Sequence, residues 1–283
     1  MQHRLDRIIY WTPSWEGRMP IPERSAGRET MLDATRVMCR QGCCLDGGTL
    51  GPKTRQKRPL RETLSLLTIP SGSSIERRPT ITGIRLAAFD VDGTLLRGEN
   101  ICGCIARNIG RSNEMDAFEL LRSREEIIAG RDTMLEWYLP FGQANLTKHL
   151  IELRLAPGVK EGFARLKKAG IKTALVSITW AFAVDWLAAE LDADYAVGTG
   201  WQTDDTIRHF WPEDKASYLE ALLSELNLGP KALAATGDSW GDIPMLNLAS
   251  KSYFVGYDLP PGLSHAEHWP DANIDRVVSS ILA

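Results

Sequence analysis

From residue 82 onward the chain alternates between short apolar runs and longer amphipathic stretches. The apolar runs fall at 84–89, 171–176, 195–197, 232–236 and 253–255. Each is too short for a helix, and together they read as strands. Between them, residues 159–168 follow Pro157, a good helix-start residue, and stop at Gly170, a good helix-stop residue. A second helix is predicted over 180–191. A third spans 216–226, where Leu219, Leu222, Leu223 and Leu226 recur at helical spacing. Strands alternating with helices predict an α/β domain with a parallel sheet and helices on both faces, binding ligands beyond the carboxyl ends of its strands.

Two regions break the alternation. Between the first strand and Pro157 lie helical patterns at 115–128, 133–139 and 146–153, with no clear strand. That is more than one crossover needs, and it predicts an inserted helical subdomain over the strand ends. The division is therefore a core of 82–96 and 156–283 with a helical cap of 97–155. Residues 1–80 hold no period for long, although 29–38 and 60–67 could form short helices, and 69–74 reads as a linker. This segment is expected to be a poorly ordered extension, or leader upstream of a start at Met19, Met31 or Met38.

Charge sharpens that boundary. Residues 1–83 carry 14 Lys+Arg against 8 Asp+Glu, and the remainder 19 against 28. The whole chain of 283 residues is nearly balanced at -3, so nucleic acid is not an expected partner. No apolar run approaches the ~18 residues of a membrane span, and without an apolar h-region behind a basic start a secretory signal is not expected. The cysteines are Cys39, Cys43, Cys44, Cys102 and Cys104, an odd number without zinc-site spacing. They are expected to be reduced, in a cytoplasmic protein. The sequence carries no mark of oligomeric state.

The chemistry gathers where the strands end. The first runs into Asp90-Val91-Asp92-Gly93-Thr94-Leu95. Two carboxylates that close raise each other's pKa unless a cation intervenes, and a hard ion such as Mg²⁺ prefers oxygen ligands. Gly93 lets the chain turn sharply. Ser177 follows the second strand, where its hydroxyl and the next N–H groups could hold a phosphate oxygen. Lys215 opens the helix, read here as 215–226, a poor place for a cation unless it faces an anion. Asp238 and Asp242, in Gly237-Asp238-Ser239-Trp240-Gly241-Asp242, could reach one cation from a strand-to-helix loop.

These four stretches, in this order, resemble the haloacid dehalogenase-like superfamily, and within it the phosphoserine phosphatase-like branch. The resemblance covers 82 to about 260, is strong at DVDGTLL and GDSWGDIPML, and is weaker at Ser177 and Lys215. It implies a Rossmann-like sheet with a helical cap. It implies Asp90 as the nucleophile that becomes an aspartyl-phosphate, and Asp92 as general acid and then base. Mg²⁺ would be held by the Asp90 carboxylate, the Asp92 backbone carbonyl and Asp238, with Asp242 helping directly or through water. Ser177 and Lys215 would bind phosphoryl oxygens.

The chain departs from the branch in places. Ser177-Ile178-Thr179-Trp180 replaces Ser-Gly-Gly-Phe, and Gly241 replaces an asparagine. Glu99 matches a glutamate that recognises a substrate amino group. A cap arginine for a carboxylate has three candidates, Arg122, Arg124 and Arg131. Trp137, Tyr138, Phe141, Trp180 and Phe182 read as pocket or core. Residues 199–211 suggest a hairpin flap in which His209 is structural, and His265 and His268 are read as surface residues. The resemblance implies a Mg²⁺-dependent phosphomonoester hydrolase for a small phosphorylated metabolite, phosphoserine or a related phosphate. The alternatives are a phosphotransferase to an alcohol, or a non-catalytic phospholigand-binding module.

Overall fold

A computed structural model describes residues 83–283. The extension 1–80, its two short helices, its linker, and Cys39, Cys43 and Cys44 lie outside the described residues. The strands are β1 (Leu86–Phe89), β2 (Lys172–Trp180), β3 (Tyr195–Trp201), β4 (Ile207–Arg208), β5 (Leu233–Gly237), β6 (Lys251–Phe254) and β7 (Glu267–His268). They form one sheet in the order β4-β3-β2-β1-β5-β6-β7. All neighbours pair in parallel except β3 and β4, which make the expected hairpin.

Strand side chains alternate between two faces, and the core divides accordingly. Ala87, Phe89, Leu175 and Ala234 join one cluster, with α5 (Val159–Lys168), α6 (Ala181–Leu191) and α9 (Ile274–Leu282). Leu86, Ala88, Val176 and Ala235 join the other, with α7 (Pro212–Glu225) and α8 (Ile243–Leu248). β1 sits between β2 and β5, and the chain builds outward from it in both directions. The crevice at such a reversal, beyond the strand ends, is where open α/β sheets bind ligands.

Between β1 and α5 the chain is helical: α1 (Ile101–Asn108), α2 (Ser112–Phe118), α3 (Arg124–Tyr138), α4 (Gln143–Thr147) and a 3₁₀ turn at Lys148–Glu152. The predicted 115–128 helix is broken in its middle. Ser123 caps α3, accepting the Glu126 N–H at 3.2 Å while the Glu126 carboxylate accepts the Ser123 N–H at 3.0 Å. The insert joins the core through two adjacent antiparallel segments, with Arg97 N–H donating to the Arg154 carbonyl at 2.9 Å and Ala156 N–H to Leu95 at 2.8 Å.

Two other boundaries differ from the sequence reading. β2 continues past Val176 to Trp180, with its register against β3 irregular over that stretch. The β-branched Ile178 and Thr179 favour extended backbone, so Ser177 lies inside the strand. α7 begins at Pro212, so Lys215 is inside its first turn and not at its opening. No helix among the described residues is long and apolar enough to cross a membrane.

The β2–β3 pairing is clamped at its start by Asp194. Its carboxylate accepts the Thr173 N–H at 3.0 Å and the Lys172 ammonium, and its own N–H donates to Thr173 Oγ1 at 3.3 Å. Burial alone would raise this carboxyl, but the bonds from Lys172 and Thr173 outweigh it and hold the pKa below its ordinary value. A carboxyl held low stabilises fully above its unfolded value of about 4 and loses that contribution as pH falls through its folded value. Asp194→Ala is expected to cost about 1–2 kcal/mol at neutral pH, seen as a lower urea midpoint with unchanged slope. The gap to the unmodified chain should close in acid. Equal midpoints at neutral pH would contradict this account.

Candidate active site

Asp90 is the first residue beyond the central strand, and its N–H still donates to the Thr236 carbonyl of β5 at 3.0 Å. The chain then folds back on itself. The Val91 carbonyl accepts from the N–H groups of Thr94, Leu95 and Leu96 at 3.3, 2.9 and 3.0 Å. Gly93 turns the corner at φ +86°, where any side chain would also strike the Asp238 carboxylate. That turn points Asp92 at the insert. Its Oδ1 accepts the Ile101 N–H, the first residue of α1, at 2.8 Å.

Three chain segments meet at Lys215. Its ammonium donates to Asp90 Oδ1 at 2.7 Å and to Asp242 Oδ1 at 2.6 Å. The lysine is 2% exposed and Asp242 not at all. The other Asp242 oxygen accepts from Asp238 N, Ser239 N and Ser239 Oγ, each at 3.0 Å, so this carboxylate shapes the whole 238–242 loop. Gly237 gives that side chain room, since a Cβ there would overlap it. Asp238 is left facing Thr94, whose hydroxyl donates to Oδ1 at 3.0 Å. Oxygens of Asp90, Asp238 and Asp242 lie within 4.8 Å of one another.

The cluster holds too little positive charge. Burial raises the Asp90 pKa well above the usual carboxylate range; the Asp242 charge adds to this, and Lys215 opposes it. Burial likewise lifts Asp92 to about 6 against the Ile101 hydrogen bond, and burial with Asp242 lifts Asp238 to about 7. Burial would lower Lys215, but its two carboxylates outweigh it and keep the ammonium charged. Four acids around one buried lysine suit a hard divalent cation with oxygen ligands. Asp90 Oδ2 and Asp238 Oδ2 carry no hydrogen bond from the described residues, whereas four donors already occupy Asp242.

Ser177 lies beside this cluster in sequence order of the sheet, at the carboxyl end of β2, next to β1. It is buried, and its Oγ accepts the Thr179 N–H at 3.3 Å. The bulky residues after it are absorbed elsewhere. Trp180 enters the core against Tyr138, ring centroids 5.6 Å apart, and its Nε1–H points at Met134 Sδ. Thr179 turns to Cys102, 3.5 Å away, and also bonds Asp92. At Gly241 a Cβ would meet only ordinary contacts with Ser239 and Pro212, so the missing side chain has no steric cause.

The Ile178 carbonyl accepts from Thr199 Oγ1 at 2.9 Å and from Arg131 Nη2 at 3.1 Å. This separates the three candidate arginines. Arg122 is exposed and bonds the carbonyls of Glu119 and Leu121. Arg124 pairs with Glu213. Arg131 is buried, with no carboxylate partner among the described residues, and burial pulls its pKa down to about 10. Its other contacts are His209 Nδ1 at 3.3 Å and the face of Trp211 at 4.7 Å.

The structure also places the remaining candidates. Both Glu99 oxygens accept from Arg107, which also pairs with Glu152. Glu119, held by Asn100 Nδ2 at 2.8 Å, is an insert acid whose charge reaches Asp92. Tyr138 is core like Trp180; Trp137 and Phe182 pack at its margin, and Phe141 is exposed. His265 and His268 bond the carbonyls of Leu246 and Gly256. Trp211 was not singled out by sequence; its place just before Pro212 and the lysine turn is the signal that could have found it.

A family model described as haloacid dehalogenase-like hydrolase matches residues 87–247. The chain is 28% identical over 196 residues to the phosphoserine phosphatase of Polaromonas sp. strain JS666, covering 64% of this chain and 82% of that one. It is 29% identical over 177 residues to the phosphoserine phosphatase of Archaeoglobus fulgidus, covering 58% and 50%. Among solved structures, a haloacid dehalogenase family hydrolase of Salmonella enterica serovar Typhi aligns with TM-score 0.59 at 22% identity, covering 71% and 73%. A phospho-aspartyl intermediate analogue of phosphoserine phosphatase aligns with TM-score 0.57 at 20% identity, covering 70% and 99%. The structural matches share the fold, and the family match spans more than half of the sequence. The chain belongs to the haloacid dehalogenase-like hydrolase family, as an enzyme of its phosphoserine phosphatase-like branch.

Proposed function

We propose that this phosphatase hydrolyses a small carboxylate-bearing phosphomonoester, O-phosphoserine or a related amino-acid phosphate, through an aspartyl-phosphate on Asp90. The observation that carries the reading is the buried Asp90–Lys215–Asp242 arrangement at the end of the central strand, with Asp92 two residues on. The relatives' names support the substrate class, as does Arg131, buried with no carboxylate partner among the described residues. The unpaired thiols of Cys102 and Cys104 agree with a cytoplasmic setting.

Lys215 pins one oxygen of Asp90, while Ile101 N–H and Thr179 both engage the Asp92 carboxyl. Lys215 holds Asp90 Oδ1, so Oδ2 is the attacking atom. It bonds to phosphorus as the bond from phosphorus to the ester oxygen breaks. Ile101 N–H occupies Asp92 Oδ1 and Thr179 bonds the same carboxyl, which carries the transferable proton. The proton passes to the departing alkoxide, which leaves as the alcohol. Water then attacks the phosphorus, giving its proton back to Asp92 and releasing phosphate and the Asp90 carboxylate. A pKa of about 6 suits Asp92 to both duties.

The Ser177 hydroxyl, fixed by the Thr179 N–H, keeps its proton to donate to a phosphoryl oxygen, and Lys215 supplies charge from below. Asp90, Asp238 and the Asp92 carbonyl, with Asp242 helping directly or through water, would hold Mg²⁺, which would offset the charge between carboxylate and phosphate dianion. Helices α1–α4 serve as the cap over this cleft, bringing Arg131 to the substrate carboxylate and Glu119 toward its amino group.

Asp90→Asn is expected to lower phosphate release from p-nitrophenyl phosphate with Mg²⁺ by about a thousandfold or more. Chelation of the unmodified chain should abolish release, and added Mg²⁺ should restore it. Retained turnover in Asp90→Asn would reject the nucleophile, and no turnover in the unmodified chain with any phosphomonoester would reject catalysis. Arg131→Ala is expected to raise KM for O-phosphoserine about tenfold or more, with little change for p-nitrophenyl phosphate. Equal effects on both would remove the carboxylate assignment.

A further inference from the structure

Arg131 is held by three neutral groups: the Ile178 carbonyl, the Trp211 ring face and an imidazole nitrogen of His209. A guanidinium has donors only, so His209 Nδ1 must be the acceptor and the ring proton sits on Nε2. His209 is itself fixed, stacked on Trp211 with centroids 5.5 Å apart and an interplanar angle of 23°. Trp211 caps α7, the helix that carries Lys215. The imidazole therefore ties the insert's arginine to the core's lysine helix.

This arrangement has one protonation state. A proton on Nδ1 turns the acceptor into a donor facing a donor, and places two cations 3.3 Å apart. We propose that His209 is a positioning residue that keeps Arg131 turned to the substrate only while its imidazole is neutral, so that carboxylate binding weakens in acid. The inference rests on the reading of Arg131 as the carboxylate contact. The charged groups facing His209 from α3 are Arg131, Arg124 and Asp132. β2 presents the Ile178 carbonyl, and Glu213 of α7 is engaged with Arg124. Burial and Arg131 push the imidazole below its ordinary pKa, Asp132 opposes them, and Arg124 adds to the lowering. The neutral form is thus the resting one at neutral pH.

The test measures kcat and KM for O-phosphoserine and p-nitrophenyl phosphate between about pH 5 and 8, in the unmodified chain, His209→Asn, His209→Phe and Arg131→Ala. Asparagine puts an oxygen where Nδ1 stands and cannot titrate; phenylalanine keeps the stack and removes the acceptor. KM for O-phosphoserine should rise about tenfold toward pH 5 in the unmodified chain relative to His209→Asn. The comparison cancels the substrate's own ionisation. His209→Phe should raise that KM at neutral pH far more than KM for p-nitrophenyl phosphate. Identical acid limbs in the unmodified and Asn chains, or equal KM changes for both substrates in His209→Phe, overturn the proposal while Arg131→Ala still discriminates. If Arg131→Ala does not discriminate, the carboxylate reading falls and His209 falls with it. Should the phenylalanine variant fail to fold, the Asn pH profile decides alone.

Discussion

A single buried ammonium organises this molecule's chemistry. Lys215 reaches from α7 to Asp90 at the end of β1 and to Asp242 beyond β5, and neither partner is near it in sequence. An ion pair out of water gains only where its geometry is good and its other atoms are satisfied. Asp242 meets that condition with three further donors to its second oxygen. Asp90 does not, and among the described residues Asp238 beside it has only Thr94. The lysine neutralises part of the charge of the acids buried together and leaves the rest unbalanced, the condition that suits a hard divalent cation.

Local backbone decisions put those groups in range. Gly93 admits the Asp238 carboxylate into the turn after β1, and Gly237 admits Asp242. Extension of β2 to Trp180 carries Ser177 and the Ile178 carbonyl along the sheet edge facing the insert. From there the Ile178 carbonyl meets Arg131 of α3. One acid, Asp92, belongs to the core by its backbone and to the insert by its hydrogen bond to Ile101. Sheet and insert are therefore coupled through an acid of the candidate site.

Much of this was legible in the residues. Pro157 and Gly170 bracket α5 at its observed limits, and the apolar runs mark the strands of the parallel sheet. Asp90, Lys215, Asp238 and Asp242 fall together as their motifs suggested. What escaped depended on competition between neighbours. The break at Ser123 is a capping box inside an otherwise helical pattern. Glu99 has a motif position, but Arg107 one helical stretch later takes both its oxygens. His209 and Trp211 lack any periodic signature, because their value comes from α3, which lies about eighty residues away in the chain.

The insert leaves and re-enters the core through two backbone segments that bond to each other, Arg97 to Arg154 and Leu95 to Ala156. Since its ends meet, nothing in the sheet dictates how long the intervening polypeptide must be or how it folds. The scaffold thus behaves like a socket. The polypeptide plugged in there can differ in length and fold so long as its first helix still offers Asp92 a backbone N–H.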